Sequence, residues 1–324
     1  MKFWSRVGIL AATVLGLAIA VWTIGDVGLK DIVQTAQRMG PGGFLAICAW
    51  SLVTSWLLGG AWHAAAPGEP EPPVLLFAWA RLVRDAVSNL LPFSELGGIY
   101  IGVRTLTRAG VAPPRVYASF VVDLTTEMAS QLVYTLFSLL AMAPLLMGAG
   151  AAGLRPAIIG GTAVMVACIF LFMRMQKVVL ALAVRIAAKF LPETTVIGEV
   201  QAELTRIYAQ RGRVIAAFLF NLAAWTASGV SAWFVLELMG SDIALWKVLS
   251  LEGVIFALRS MAFVIPGAIG VQEAAYVLVA PLFGLAPEAA LALSLAKRAR
   301  DLVIGALALL VWQINESRGL MAGR

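Results

Sequence analysis

The residues of this sequence that could do chemistry are charges set inside apolar runs. Asp123 and Glu127 stand four apart, as do Lys297 and Asp301, with Arg298 and Arg300 between the latter two. Four residues is about one helical turn, so each pair shares a helix face. At mid-bilayer such a charge costs roughly 2.5–3.5 kcal/mol on insertion scales, and it persists where it faces a partner, a cavity or water. Two readings stand side by side. One is a buried ion-pair network that fixes helix register, with the acidic face of one helix meeting the basic face of the other. The other is a polar path for a lipid headgroup, in which Arg and Lys suit phosphate and Arg adds bidentate contacts.

Two breaks in the apolar pattern supply a second kind of site. Asn89–Arg104 reads NLLPFSELGGIYIGVR and Ile265–Glu273 reads IPGAIGVQE. Where a helix restarts inside a bilayer, its first N–H groups lack partners and its dipole is positive, which favours an anion. Gly97, Gly98 and Gly270 permit close approach there, and Ser94 can cap the first restart. Glu95 and Glu273 fall in the first turns and compete with an anion. They balance the dipole, bind a proton or a cationic group, or pair with Arg104 and Arg259. With Arg84 from the preceding run, the candidate headgroup-binding set is Arg84, Glu95, Gly97, Gly98, Arg104, Asp123, Glu127, Arg259, Gly270, Glu273, Lys297, Arg298 and Asp301.

These features recur at one offset. Pro92 and Pro266, Gly110 and Gly284, and the tetrapeptides GVAP and GLAP are all in register, which sets Asp123 against Lys297 and Glu127 against Asp301. The spacing predicts a duplicated unit, 43–147 and 214–313, joined by a basic amphipathic cytoplasmic connection over 174–213, all within a single membrane domain, 1–324.

Composition sets the class. Hydrophobic residues make up 61% and charged residues 13% of the 324, against roughly half and a quarter in soluble domains. The expected fold is all-α and polytopic, with about six full spans and two re-entrant broken-helix hairpins in an inverted repeat. The run Val7–Ile24 is expected to be a retained first span, not a cleaved signal. The net charge of +6 places Lys and Arg on the cytoplasmic side, with both termini there. No basic patch interleaved with aromatics points to nucleic acid. Cys48 and Cys168 lie in apolar runs without metal-ligand spacing, and no P-loop, GxSxG or Cys/His pair is present. No catalytic residue, cofactor or metal is therefore expected.

On Asn89, Pro92, Gly97, Gly98 and Arg104, on Pro266, Gly270 and Glu273, and on the charged helix from Lys297 to Asp301, the chain resembles the flippase-like membrane family that includes the transmembrane region of lysylphosphatidylglycerol synthase. Within it, the chain is similar to the branch associated with hopanoid biosynthesis. The resemblance implies a lipid translocase of the bacterial inner membrane, with a membrane lipid as substrate and lipid-biosynthesis enzymes as partners. The soluble aminoacyl-transfer domain of full synthases is not in this sequence, so synthesis of lysyl-lipid does not carry over. Glu95 precedes the glycine pair, where the family pattern puts an acid after it. The alternatives are a membrane-embedded transferase acting on a polyprenyl or hopanoid lipid, and a scaffold for lipid-synthesis enzymes.

Overall fold

The computed structural model describes residues 27–90, 95–146, 195–261 and 268–322, with positions 18, 21, 22, 25, 160, 163, 167 and 170 besides. Among them the regular structure is entirely helical: α1 (Leu29–Arg38), α2 (Gly40–Ala64), α3 (Val74–Leu90), α4 (Glu95–Arg108), α5 (Pro113–Leu146), α6 (Thr195–Ala209), α7 (Arg211–Leu238), α8 (Leu245–Met261), α9 (Val271–Val279, continued by a 3-10 turn, Ala280–Phe283) and α10 (Pro287–Ala322).

The span count differs from the expectation. Among the described residues only α2 and α7, at 25 and 28 residues, are long and apolar enough to cross a membrane. Six full spans with two re-entrant hairpins in an inverted repeat is not the fold the structure supports. Length and charge explain the difference. Helices α5 and α10 have 34 and 36 residues but carry the buried charges, while α3, α4, α8 and α9 have 17, 14, 17 and 9, short of the roughly 20 a span needs. The run Val7–Ile24 falls almost wholly outside the described residues, as do Pro92, Ser94 and Pro266.

Cross-contacts give the helix directions. Gly60 meets Phe220, Trp50 Nε1 donates to the Ala227 carbonyl at 2.8 Å, and Gly43 meets Leu238, so α2 and α7 are antiparallel. Asn221 bonds Thr126 and Gly229 meets Tyr134, so α5 and α7 are parallel. Gln131 bonds Ser260 and Ser138 meets Gly253, so α8 is antiparallel to α5. Leu45, Leu52 and Val53 of α2, with Leu302, Leu307 and Leu310 of α10, remain exposed, an apolar exterior suited to lipid.

Two turns repeat each other bond for bond. Val111 N–H donates to the Leu106 carbonyl at 3.2 Å, and Leu285 N–H to the Ala280 carbonyl at 3.2 Å. Gly110 and Gly284 sit at φ 91 and 80, a left-handed conformation that a helix-ending glycine supplies without Cβ strain. Each turn hands over to a long helix that begins on a proline, Pro113 or Pro287.

Gly59 sets the closest approach between α2 and α3, since a Cβ there would lie 2.2 Å from Ala78 Cα. Backbone cannot yield as a side-chain tip can. Gly59→Val is expected to destabilise the protein by about 1–3 kcal/mol, read as a lowered midpoint of thermal unfolding in detergent.

Candidate functional site

Polar residues converge where α3, α5 and α7 meet. Arg81 is one turn from Asp85 on α3, and Asp123 is one turn from Glu127 on α5, so two like-spaced faces come together. Arg81 Nε donates to both Asp85 oxygens at 3.1 and 3.0 Å. Its Nη1 reaches Asp123 Oδ2 at 3.2 Å and Glu127 Oε2 at 3.1 Å, and Nη2 reaches Glu127 Oε1 at 2.6 Å. The planar fork serves three carboxylates at once with five donors in fixed directions, where an ammonium has three. Arg84 lies behind it, with Nη1 3.8 Å from Asp123 Oδ2 and its guanidinium 5.0 Å from the Phe120 ring centroid. From α7, Asn221 Nδ2 donates to Asp123 at 3.4 Å and to Thr126 Oγ1 at 3.1 Å.

A second group joins α8, α9 and α10. Lys297 Nζ donates to Glu252 Oε2 at 2.5 Å and to Tyr276 Oη at 3.1 Å, and the Tyr276 hydroxyl donates to Glu252 Oε1. Beside it, Arg298 Nε and Nη2 donate to Glu273 Oε1 and Oε2 at 2.6 and 3.1 Å. Ser294 Oγ donates to Glu273 Oε1 at 3.1 Å, and Gln272 Nε2 donates to Ser294 at 2.6 Å. Glu273 also accepts the Gly270 N–H at 2.8 Å. The restart of α9 is thus capped by its own acid, which occupies the position an anionic ligand would take.

Beside the first group, bordered by its Asp85, is a cavity of about 140 Å³ among α2, α3, α7 and α10. Ser51, Thr54 and Ser55 line it from the middle of α2, Asp85 and Asn89 from α3, Ser228 from α7, and Arg300 and Asp301 from α10. Arg300 Nη2 donates to Asp301 Oδ1 at 2.7 Å, and the Asp301 side chain is 39% exposed. Hydroxyls and charges halfway along an apolar helix make this the polar space in which a headgroup could sit. A larger cavity, about 620 Å³, lies between the 68–73 linker, the 109–115 turn and α6. Arg115 braces that linker, donating to the carbonyls of Ala66, Gly68 and Pro70. Among the described residues no group of His, Cys, Asp or Glu side chains is arranged to hold a metal ion.

Outside the apolar helices, Glu71 accepts from Arg213 Nη2 at 2.9 Å. This hydrogen bond, then the charge of Arg213, holds its carboxyl below the ordinary carboxylate range. A depressed value means the contact helps the fold above that ordinary range and is lost as pH falls through the folded value. In Arg213→Gln the Glu71 carboxyl is expected to titrate in the ordinary range, as read from its ¹³C shift against pH.

Residues 9–308 match the family described as lysylphosphatidylglycerol synthase TM region. The chain belongs to this family. No curated protein matches the chain. The family match makes this a membrane protein of a lipid-handling family and covers nearly all of the elements above.

Within that family frame, the expected site residues divide. Arg84, Asp123 and Glu127 come together, as do Gly270, Glu273 and Arg298, while Lys297 joins the neighbouring group and Asp301 lines the cavity. The acidic face of α5 does not pair with the basic residues of α10, as the shared register suggested. Each finds its counter-ion on a short helix instead, Arg81 on α3 and Glu252 on α8. Gly98 and Gly102 serve packing, because a Cβ would lie 2.2 Å from Ser88 Oγ at the first and 3.2 Å from Arg84 Cβ at the second. Gly97 is half-buried, Glu95 opens α4, and Arg104 donates to Tyr100 Oη at 3.2 Å. Arg259 is half-buried near the end of α8, and the partner of Glu273 is Arg298. Sequence reasoning missed Arg81, Glu252, Tyr276 and Asn221 as site residues. Glu252 had a usable signal, a single acid in the apolar run LSLEGVIF.

Proposed function

We propose that this chain moves an amphiphilic membrane lipid between leaflets, the headgroup passing through the polar cavity among α2, α3, α7 and α10 while the tails stay in the surrounding bilayer. The observation that carries the reading is the cavity's lining. Asp85, Arg300 and Asp301 face it with Ser51, Thr54, Ser55 and Ser228, all on helices whose outer faces are apolar. A purely structural ion network has no need of an open space beside it. The half-exposed carboxylate of Asp301 and the guanidinium of Arg300 offer opposite charges to a headgroup that carries either sign or both. The ion pairs behind the cavity hold its walls in register. Membership in a family that handles membrane lipids supports the same reading. The basic junction between α6 and α7, Arg206, Arg211 and Arg213, favours a cytoplasmic location for that end and for both termini in a bacterial inner membrane.

The test is lipid exchange. Purified protein is placed in vesicles containing a trace of fluorescent lipid, and the label in the outer leaflet is bleached chemically. Wild type is expected to expose inner-leaflet label that protein-free vesicles retain, and Ser55→Leu, which fills the cavity, to slow exchange by about tenfold or more. Running a labelled phospholipid and a labelled hopanoid analogue side by side separates those two substrate classes.

A further inference from the structure

The seam between α5 and α7 holds buried polar atoms that neither ion group uses. Thr126 faces Asn221 across it and, two turns further on, Tyr134 faces Gly229, where a Cβ would lie 2.5 Å from the tyrosine hydroxyl. Along α5 the polar side chains Ser119, Asp123, Thr126, Ser130, Tyr134 and Ser138 recur at spacings of three and four, and all are buried. Such spacing keeps them on one face. Ser119, Thr126, Ser130 and Ser138 return their hydroxyl protons to carbonyls of their own helix. Tyr134 does not. Its hydroxyl, Asn221 Oδ1 and Trp225 Nε1 have no hydrogen-bond partner among the described residues. Each buried polar atom left unpaired costs about 1–3 kcal/mol, and water is the usual partner at such positions. Asn221, Trp225 and Gly229 stand four apart on α7, so the orphan atoms lie on successive turns of one seam.

We propose that this seam is a hydrated proton path joining the two buried ion groups. It goes beyond lipid movement and does not depend on it. At one end Asp85, Asp123 and Glu127 face Arg81 and Arg84 of α3 and Asn221 of α7. Three carboxylates against two guanidiniums leave one negative charge in an apolar surround, and this charge offers a place for one proton. Asp85 borders the cavity, which gives that end its access to water. At the other end Glu252 faces Tyr276 of α9 and Lys297 of α10, with Arg259 and Arg300 within electrostatic reach. Tyr134 packs against Gly253 and Phe256, the neighbours of Glu252 on α8. From Asp123 to Ser138 the helix rises about 22 Å. A proton leaves a carboxyl oxygen of Asp123 or Glu127 for adjacent water and moves by exchange of O–H bonds. The Tyr134 hydroxyl takes it from behind while giving its own forward, and a Glu252 oxygen accepts it. No other bond forms or breaks.

The test uses the full chain in phosphatidylethanolamine–phosphatidylglycerol vesicles with a trapped pH dye, after an acid step with potassium and valinomycin present. Wild type is expected to collapse the gradient about tenfold faster than protein-free vesicles, and Tyr134→Phe to return the rate to within about twofold of them. In parallel, hydroxyl-radical labelling of wild type by an X-ray pulse is expected to mark Tyr134 and Trp225 through bound water while sparing Phe77, which is buried among apolar side chains. Wild-type vesicles that hold the gradient as empty ones do, a Tyr134→Phe protein that conducts like wild type, or Tyr134 labelling no faster than Phe77 would each overturn the proposal. Lipid exchange without proton flux leaves the lipid reading standing and removes this one.

Discussion

Arg81→Gln is expected to cost about 3–5 kcal/mol of stability, because one partner of a buried charge group is removed and the others stay. Arg81 donates to Asp85, Asp123 and Glu127 together. Among the described residues those carboxylates then keep Arg84, whose Nη1 stands 3.8 Å from Asp123, and the one amide hydrogen that Asn221 gives Asp123. The glutamine can satisfy one acid at most. Arg81→Lys should fall between, since it keeps the charge but not the fork. Tryptophan fluorescence during thermal unfolding in detergent reads the order wild type, Lys, Gln. An Arg81→Gln protein that melts with wild type would mean that the three acids are not held as described.

Lys297→Met is expected to have an effect of similar size, about 3–5 kcal/mol, for the same reason. The methionine fills the volume but leaves Glu252 fully buried with, among the described residues, the Tyr276 hydroxyl as its one hydrogen-bond partner. The second half of this prediction discriminates. In Glu252→Met/Lys297→Met both charges are gone, the desolvation cost of each is gone with them, and stability should return to within about 1–2 kcal/mol of wild type or exceed it. Coupling between the sites is then read from the double-mutant cycle. The same double variant lacks the acceptor of the proton path, so its stability should recover while its proton flux does not.

The sequence carried the elements further than it carried their assembly. Proline and glycine act locally, so the turns they mark at Gly110–Pro113 and Gly284–Pro287 do separate helices in the structure. The GVAP and GLAP turns are a sharp case, since tetrapeptides that differ only in Val111 against Leu285 make the same hydrogen bonds in the same register. Crossing the membrane is a different question. Placing six spans assumed that an apolar run with a few charges still spans, whereas α5 and α10 carry charges that need partners inside the protein. The partners themselves were not legible. Asp123 and Glu127 advertise a shared face, but nothing local says that the face turns to Arg81, 42 residues back from Asp123, and not to Lys297, far along the chain. Glu273 was seen as a competitor of an anion at the α9 restart, and its bond to the Gly270 N–H makes it the occupant. Tyr276 and Asn221 have no spacing that separates them from ordinary buried residues, so only the packing of α7, α8 and α9 exposes their roles.

The central claim is that the cavity beside Arg300 and Asp301 carries a lipid headgroup. The most direct measurement is leaflet exchange of fluorescent lipid by Arg300→Gln/Asp301→Asn in vesicles, set against wild type at equal protein density. The pair is removed as a unit, net charge is unchanged, and Asp301 is half exposed, so the fold should survive with an unchanged unfolding midpoint. Exchange is predicted to fall by about tenfold or more. A double variant that exchanges lipid at the wild-type rate, or wild type that exchanges no faster than protein-free vesicles, would contradict the account.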